Sequence, residues 1–268
     1  MYLKLKCFIP KIGNKMKVLA ITQARLSSTR LPGKVLMKIS NMSIIEIHLR
    51  RLLKSKLITN FKLATTNEPG IDEIIKIAIK LNIPFYKGSI DNVLDRFFQA
   101  SINEQPDYVV RVTSDCPLID PILVDKIIEF TIKNNLDYCS NTLASTYPDG
   151  VDVEVFKFSA LIKAHKEATL LSEKEHVTPY IWKNSTYLRG SIFNSDCYKN
   201  EIDFSKYRIT IDTIEDFLVL EKLVNELGID KKWEKYINYL EMNPTIFEIN
   251  DRYKRNEGYQ KSLNQEKN

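Results

Sequence analysis

Residues 17–34 read KVLAITQARLSSTRLPGK, and the change of character after Gln23 decides the fold. Residues 17–23 form a short, β-rich apolar run, the pattern of a first strand. The next stretch carries Arg25 and Arg30, hydroxyls at Ser27, Ser28 and Thr29, and then Leu31, Pro32, Gly33 and Lys34. Guanidinium forks grip phosphate oxygens at two points, lysine adds a point charge, and glycine frees backbone amides, so this loop suits a polyphosphate. The GxxxxGK[ST] spacing of a Walker A loop is absent. Residue types alone leave open a basic surface loop with a Pro-Gly turn.

Outward from this strand, segments 43–53, 71–81, 91–102 and 121–132 read as helices, and 61–66, 83–86, 108–112 and 137–140 as strands. Ile44, Ile47, Leu49 and Leu52 fall close to one helical face, and Pro121 stands at a first-turn position that tolerates its missing N–H. This alternation predicts an α/β class: a Rossmann-like, mainly parallel sheet with helices on both faces. Beyond Gly150 the rhythm changes. Residues 151–156 and 187–193 read as strands, 159–178 as helical and 208–211 as a last core strand. Helix 215–227 is opened by a capping box of Thr213 and Asp216. Residues 1–15 read as an appendage, 16–245 as the domain and 246–268 as a frayed polar tail.

With 268 residues, 44% hydrophobic and 27% charged, the chain is long enough for one large α/β domain and too apolar for disorder. Its longest apolar runs fall far short of the roughly 20 residues of a membrane span. The N-terminus lacks the apolar stretch and cleavage site of a signal peptide, so a cytoplasmic protein without a membrane partner is expected. The net charge of +5 belongs to the ends: residues 1–15 carry +4, residues 251–268 carry +2, and the body between them carries −1. Without a basic stripe, nucleic acid is not an expected partner. Cys7, Cys116, Cys139 and Cys197 form no CxxC pair and read as reduced thiols, not zinc ligands. Lysines outnumber arginines 29 to 10, which makes each guanidinium informative; Arg25, Arg30, Arg111 and Arg208 flank the candidate chemistry.

In an open α/β sheet the ligand crevice lies beyond the carboxyl ends of the strands. There stand the first loop, TTNEPG (65–70), KGSIDN (87–92) and TSDCPLID (113–120). Asp115 follows its strand, and Asp212 follows segment 208–211; such carboxylates are the hard oxygen ligands magnesium prefers. Asp212 reads equally as part of the cap of the next helix. Two carboxylates close enough to share a metal should, without it, compete for a proton. Asp152 and Glu154, two apart, are read onto one strand face, as a pocket wall would need. His165 reads as a solvated position between lysines, and His176 as a partly buried structural histidine.

The strings ARLSSTRLPGK, RVTSDCPLID, YPDGVDVEVF, EHVTPYI and ITIDTIEDF, in that order, resemble the spore-coat polysaccharide biosynthesis cytidylyltransferase family. That family is related to the nucleotidyltransferases that make CMP-Kdo and CMP-sialic acid, and the resemblance covers about residues 17–227. It implies a nucleotide-diphospho-sugar transferase type of fold and a CTP-dependent activation of a sugar acid or sugar phosphate with magnesium. It also implies that Arg25, Arg30 and Lys34 hold the triphosphate while Asp115 and Asp212 hold the metal, these five forming the catalytic set. Ala24, Ser28 and Gly33 complete the nucleotide loop, and Thr65 and Thr66 neighbour the base. Gly150, Asp152, Glu154 and His176 would lie at the sugar pocket. Asp91, Asp95 and Arg96 belong to a further motif without an assigned role.

The chain departs from the family pattern at Ser114, where glycine is expected, and at Asn92, where an acid is usual. A serine at 114 would crowd the close approach of backbone to nucleotide. A nucleotide-sugar-dependent glycosyltransferase would want a DxD motif where this chain has Ser114, Asp115 and Cys116. A non-catalytic binder would not need both Asp115 and Asp212. An excursion near 173–195, with Tyr180, Trp182, Tyr187 and Phe193, reads as a partner surface and predicts a homodimer.

Overall fold

A computed structural model describes residues 16–266. The appendage expected at residues 1–15 lies outside the described residues, as do residues 267–268. The strands are β1 (Val18–Gln23), the short pair β2 (Lys38–Ile39) and β3 (Met42–Ser43), β4 (Asn60–Thr66), β5 (Phe85–Gly88), β6 (Tyr108–Thr113), β7 (Tyr138–Ser140), β8 (Glu154–Lys157) and β9 (Ser195–Cys197). The helices are α1 (Ile44–Leu52), α2 (Asp72–Lys80), α3 (Val93–Ile102), α4 (Pro121–Lys133), α5 (Phe158–Glu167), α6 (Leu171–His176), α7 (Pro179–Lys183), α8 (Ile214–Leu227), α9 (Trp233–Met242), α10 (Pro244–Phe247) and α11 (Glu257–Glu266).

Alternate residues of a strand point to opposite faces, and β1 divides accordingly. Val18 and Ala20 pack with Val110, Leu123 and Leu220 on one side, whereas Leu19 and Ile21 pack with Phe97, Val109 and Leu161 on the other. A strand buried on both faces must have helices on both, as the sequence predicts. The sheet order is β5-β4-β1-β6-β8-β7-β9. The first four strands are mutually parallel, β8 runs antiparallel between β6 and β7, and β9 is parallel to β7. β1 therefore stands centrally, and the loops after β1, β4, β5 and β6 leave the same end of the sheet.

Helix starts follow their local chemistry. Asp120 caps α4 ahead of Pro121, and Thr213 with Asp216 forms the expected box on α8. Asn92, the departure from an acidic pattern, caps α3 through its side chain.

Four expectations are corrected. Segment 208–211 is buried but is not a strand: its backbone meets the loops at Asp149 and Asp115, with a single bridge between Asp149 and Arg208. Gly150 permits this approach, since it sits at φ +113° and a Cβ there would lie 2.5 Å from the carbonyl carbon of Ile209. Residues 187–193 are likewise not a strand; Thr186–Leu188 is a 3-10 turn and the edge strand is β9. The single helix read over 159–178 is two, α5 and α6, separated around Ala168, whose backbone is extended. Of the segment read as a frayed tail, the described residues 246–266 are ordered by specific partners. Asn250 is buried and donates to the Arg208 carbonyl (3.2 Å) and to Asp216 (2.9 Å), and α11 packs on α6.

Candidate active site

The first loop is bonded to its neighbours on both sides. The Ser114 amide donates to the Gln23 carbonyl (3.2 Å), and the Thr65 hydroxyl donates to the Ala24 carbonyl (2.9 Å). Glu68 accepts from the amides of Leu26 (3.3 Å) and Ser27 (2.9 Å) and from the Thr66 hydroxyl, which holds its pKa below the usual range although burial opposes this. Gly33, at φ +70°, turns the chain into the 3-10 turn Lys34–Leu36. Ser28 Oγ accepts from the Leu31 amide at 3.4 Å. These contacts deliver Lys34 into the crevice.

There the Lys34 ammonium donates to Asp115 Oδ2 (3.1 Å), Asp212 Oδ1 (2.8 Å) and the Ile211 carbonyl (2.7 Å). Arg30 reaches the same Asp212 oxygen at 2.9 Å. Burial disfavours the charge on Lys34, but the two carboxylates outweigh it and raise its pKa. Burial also opposes ionisation of Asp115, and the Lys34 charge with several hydrogen bonds overcomes it, bringing the Asp115 pKa to about 2. The expected competition for a proton is thus corrected at Asp115, which the ammonium standing between it and Asp212 holds ionised.

Behind Asp212, the guanidinium of Arg208 is shared by three acids. It donates from Nε and Nη2 to Asp216 (2.8 and 3.0 Å), from Nη2 to Asp212 Oδ2 (2.9 Å) and from Nη1 to Asp149 (2.5 Å). Asp212 is not the helix cap, because Thr213 holds that position. Its two oxygens are divided, one toward Arg208 and the other toward Lys34 and Arg30.

The donor set fits a hard divalent ion. Asp115 Oδ2 and Asp212 Oδ1 converge on the Lys34 ammonium and both side chains remain partly exposed; magnesium takes one or two carboxylates with phosphates and water completing its shell, and there it would take over oxygens that Lys34 now holds. Among the described residues no group of three or more His, Cys, Asp or Glu is arranged around a metal position. Of the four cysteines, Cys116, Cys139 and Cys197 are buried free thiols.

The expected trio of phosphate cations is divided. Arg30 and Lys34 meet at Asp212, whereas Arg25 stands apart, 3.8 Å from Glu175. Of the expected sugar-side residues, Glu154 is buried and accepts from Arg111, Thr178 and the Tyr138 hydroxyl (2.7 Å). Asp152 accepts from Arg255 at 2.8 Å; burial lifts its pKa to about 7 even with that guanidinium opposing. His176 Nε2 lies 3.0 Å from Ser262 Oγ, and burial, then Arg111, pushes its pKa down to about 4. His165 is not merely solvated: it stacks on Phe98 at 4.0 Å and bonds Asp95 at 2.9 Å. Arg96 is buried and reaches the Ser89 carbonyl at 3.1 Å, while no contact among the described residues gives Asp91 a role.

Sequence reasoning missed Glu68, Asp149 and Arg255. Arg255 carried a signal in the scarcity of arginine, which the polar composition around it outweighed. Asp149 and Glu68 carried none beyond their positions in loops at the crevice.

A mainly parallel sheet with an acid-and-cation crevice at the carboxyl ends of its strands is the architecture of a nucleotide-using transferase. The family profile described as cytidylyltransferase matches residues 19–255. The spore coat polysaccharide biosynthesis protein SpsF of Bacillus subtilis is 31% identical over 234 residues, covering 85% of this chain and 95% of that protein. The solved structure of a cytidylyltransferase from Leptospira borgpetersenii is 34% identical, with a TM-score of 0.82 over 89% of this chain and all of that one. A CMP:2-keto-3-deoxy-manno-octonic acid synthetase solved with CTP shares the fold at 14% identity, with a TM-score of 0.60 over 78% of this chain and 99% of that one. This chain belongs to the cytidylyltransferase family, and it is a nucleotidyltransferase.

Proposed function

We propose that the protein binds CTP with magnesium and transfers CMP to an oxygen of a sugar acid or sugar phosphate, supplying surface polysaccharide or glycoconjugate synthesis. The observation that carries this reading is the convergence of Lys34, Arg30, Asp115 and Asp212 at the end of β1 and β6. The acceptor oxygen attacks the α-phosphorus, the bond to the bridging oxygen breaks, pyrophosphate leaves and the acceptor proton passes to water. Lys34 and Arg30 hold the β- and γ-phosphates and take up charge developing on the leaving group. Asp115 and Asp212 would hold magnesium, which supplies further charge neutralisation on the phosphates. Arg25, set apart beside Glu175, would reach the nucleotide from the other lip of the crevice. Positioning and electrostatics suffice, with no covalent enzyme intermediate.

Asp152 and Arg255 form the polar wall nearest Gly150, a suitable face for an anionic, hydroxyl-rich acceptor. The acceptor class is tested with α-labelled CTP, magnesium and a panel of sugar acids and sugar phosphates. Label is expected in a new CMP-linked product, one pyrophosphate accompanying each. Binding of CTP without label transfer to any acceptor would favour a non-catalytic binder. Among the described residues no helix is long and apolar enough to cross a membrane, and a CTP-consuming reaction belongs in the cytoplasm.

We also propose a homodimer, on a changed basis. Tyr180, Trp182 and Phe193 of the excursion pack inward against the face that holds Phe97 and Leu161. Its exposed aliphatic side chains are Leu188 and Ile192, with Leu170 and Leu171 exposed just before it. Light scattering at micromolar concentration is expected to return twice the chain mass of 31.2 kDa, and a monomer mass would remove the proposal.

A further inference from the structure

The family match ends at residue 255, and α11, just beyond that point, lies across the crevice. Glu257, at the start of α11, accepts from Arg30 Nη1 at 2.8 Å while Arg30 Nη2 holds Asp212. Close to it in the chain, Arg255 holds Asp152 at 2.8 Å and stands 3.6 Å from Asp149. Further along, Ser262 Oγ donates to Glu175 at 2.7 Å and lies 3.0 Å from His176 Nε2. Tyr259 presents its ring edge-on to His176 and Trp182, and Glu266 accepts from the Ser172 amide at 2.6 Å. The helix thus touches a residue of the phosphate side and two flanking the sugar side at once.

Arg30 has two ends and both are engaged by carboxylates of this chain. A triphosphate presents the same chemistry to a guanidinium: anionic oxygens in a fork-matching array. We propose that α11 is an internal strap whose Glu257 carboxylate stands on Arg30 where a nucleotide phosphate oxygen would, so that nucleotide and strap compete for the crevice. This rests on reading the crevice as a nucleotide site. The strap is anchored for release, since its ties include one ion pair between partly exposed groups, a shared hydroxyl, the Ser172 amide on Glu266 and aromatic edges, with few buried apolar residues. Binding of a nucleotide that displaces Glu257 would also free Ser262 from His176 and Glu175, linking phosphate occupancy to opening of the sugar side.

Calorimetric titration of the full chain with CTP and magnesium tests this against E257Q and S262A. An exposed ion pair contributes little, so E257Q is expected to bind CTP about two- to fivefold more tightly than wild type, with the gain shrinking at high salt. Cytidine, which has no phosphate for Arg30, is expected to gain nothing. S262A, which removes the hydroxyl anchoring α11, is expected to shift CTP affinity in the same direction. Hydrogen exchange gives a second readout: amides of 257–266 in the wild-type protein should lose protection when CTP is added. CTP affinity unchanged or weakened in both variants, equal gains for cytidine, or undiminished protection under saturating CTP would overturn the strap while leaving the nucleotide site intact. Failure of wild type and both variants to bind CTP would overturn the strap and the nucleotide reading together.

Discussion

Asp212→Asn is expected to cut turnover by about a hundredfold or more and to weaken the magnesium dependence, while the protein still folds. Asparagine keeps the size and most of the hydrogen bonding of aspartate but removes the charge that Lys34, Arg30 and Arg208 all address. Lys34 keeps Asp115 and the Ile211 carbonyl, so the crevice does not collapse. The helix start survives as well, because Thr213 and Asp216 form the cap without Asp212. Turnover measured against magnesium concentration, beside a thermal melt, separates the outcomes. Unchanged kinetics would remove Asp212 from the site.

The second large effect is on stability. Arg208→Leu should destabilise the fold by about 3–5 kcal/mol, since it leaves the buried Asp216 carboxylate without its cation, whereas Asp212 keeps Lys34 and Arg30 and Asp149 keeps Arg255. The Arg208 side chain is 5% exposed and Asp216 0%, so water cannot readily replace the lost partner. Burial alone disfavours a charged Arg208, yet Asp216, Asp149 and Asp212 raise its pKa, so the pairing outweighs the burial. Asn250 still donates to the same acid, but a neutral amide does not replace the lost charge. Urea unfolding at neutral pH measures the loss, and adding Asp216→Asn to the Leu variant should recover part of it. A loss under about 1 kcal/mol would show that the acids relax or take up protons at little cost.

The parts of this site that the sequence makes legible are local. A double-faced apolar strand running into a cationic glycine loop needs no distant partner to be read, and neither does a Thr213–Asp216 box or an aspartate closing β6. Segment 208–211 misleads because its apolar alternation is real while its hydrogen-bond partners are loops, at Asp149 and Asp115, and alternation reports burial, not pairing. Residues 250–266 mislead for a related reason. Lys, Arg, Glu, Gln and Asn in succession read as solvated, and composition does not reveal that Arg255 meets Asp152 across 103 positions of chain. The division of Arg25 from Arg30 and Lys34 is hidden in the same way, since five residues of loop fix a spacing in sequence but not the side of a crevice.

The most direct measurement is pyrophosphate release with CTP, UTP, ATP and GTP supplied in parallel, each with magnesium and the acceptor panel. The expected result is release with CTP well above the other three, dependent on an acceptor and lost in Asp212→Asn. Equal release with all four nucleotides, or none with CTP under any acceptor, would contradict the assignment of this crevice as a CTP-dependent site.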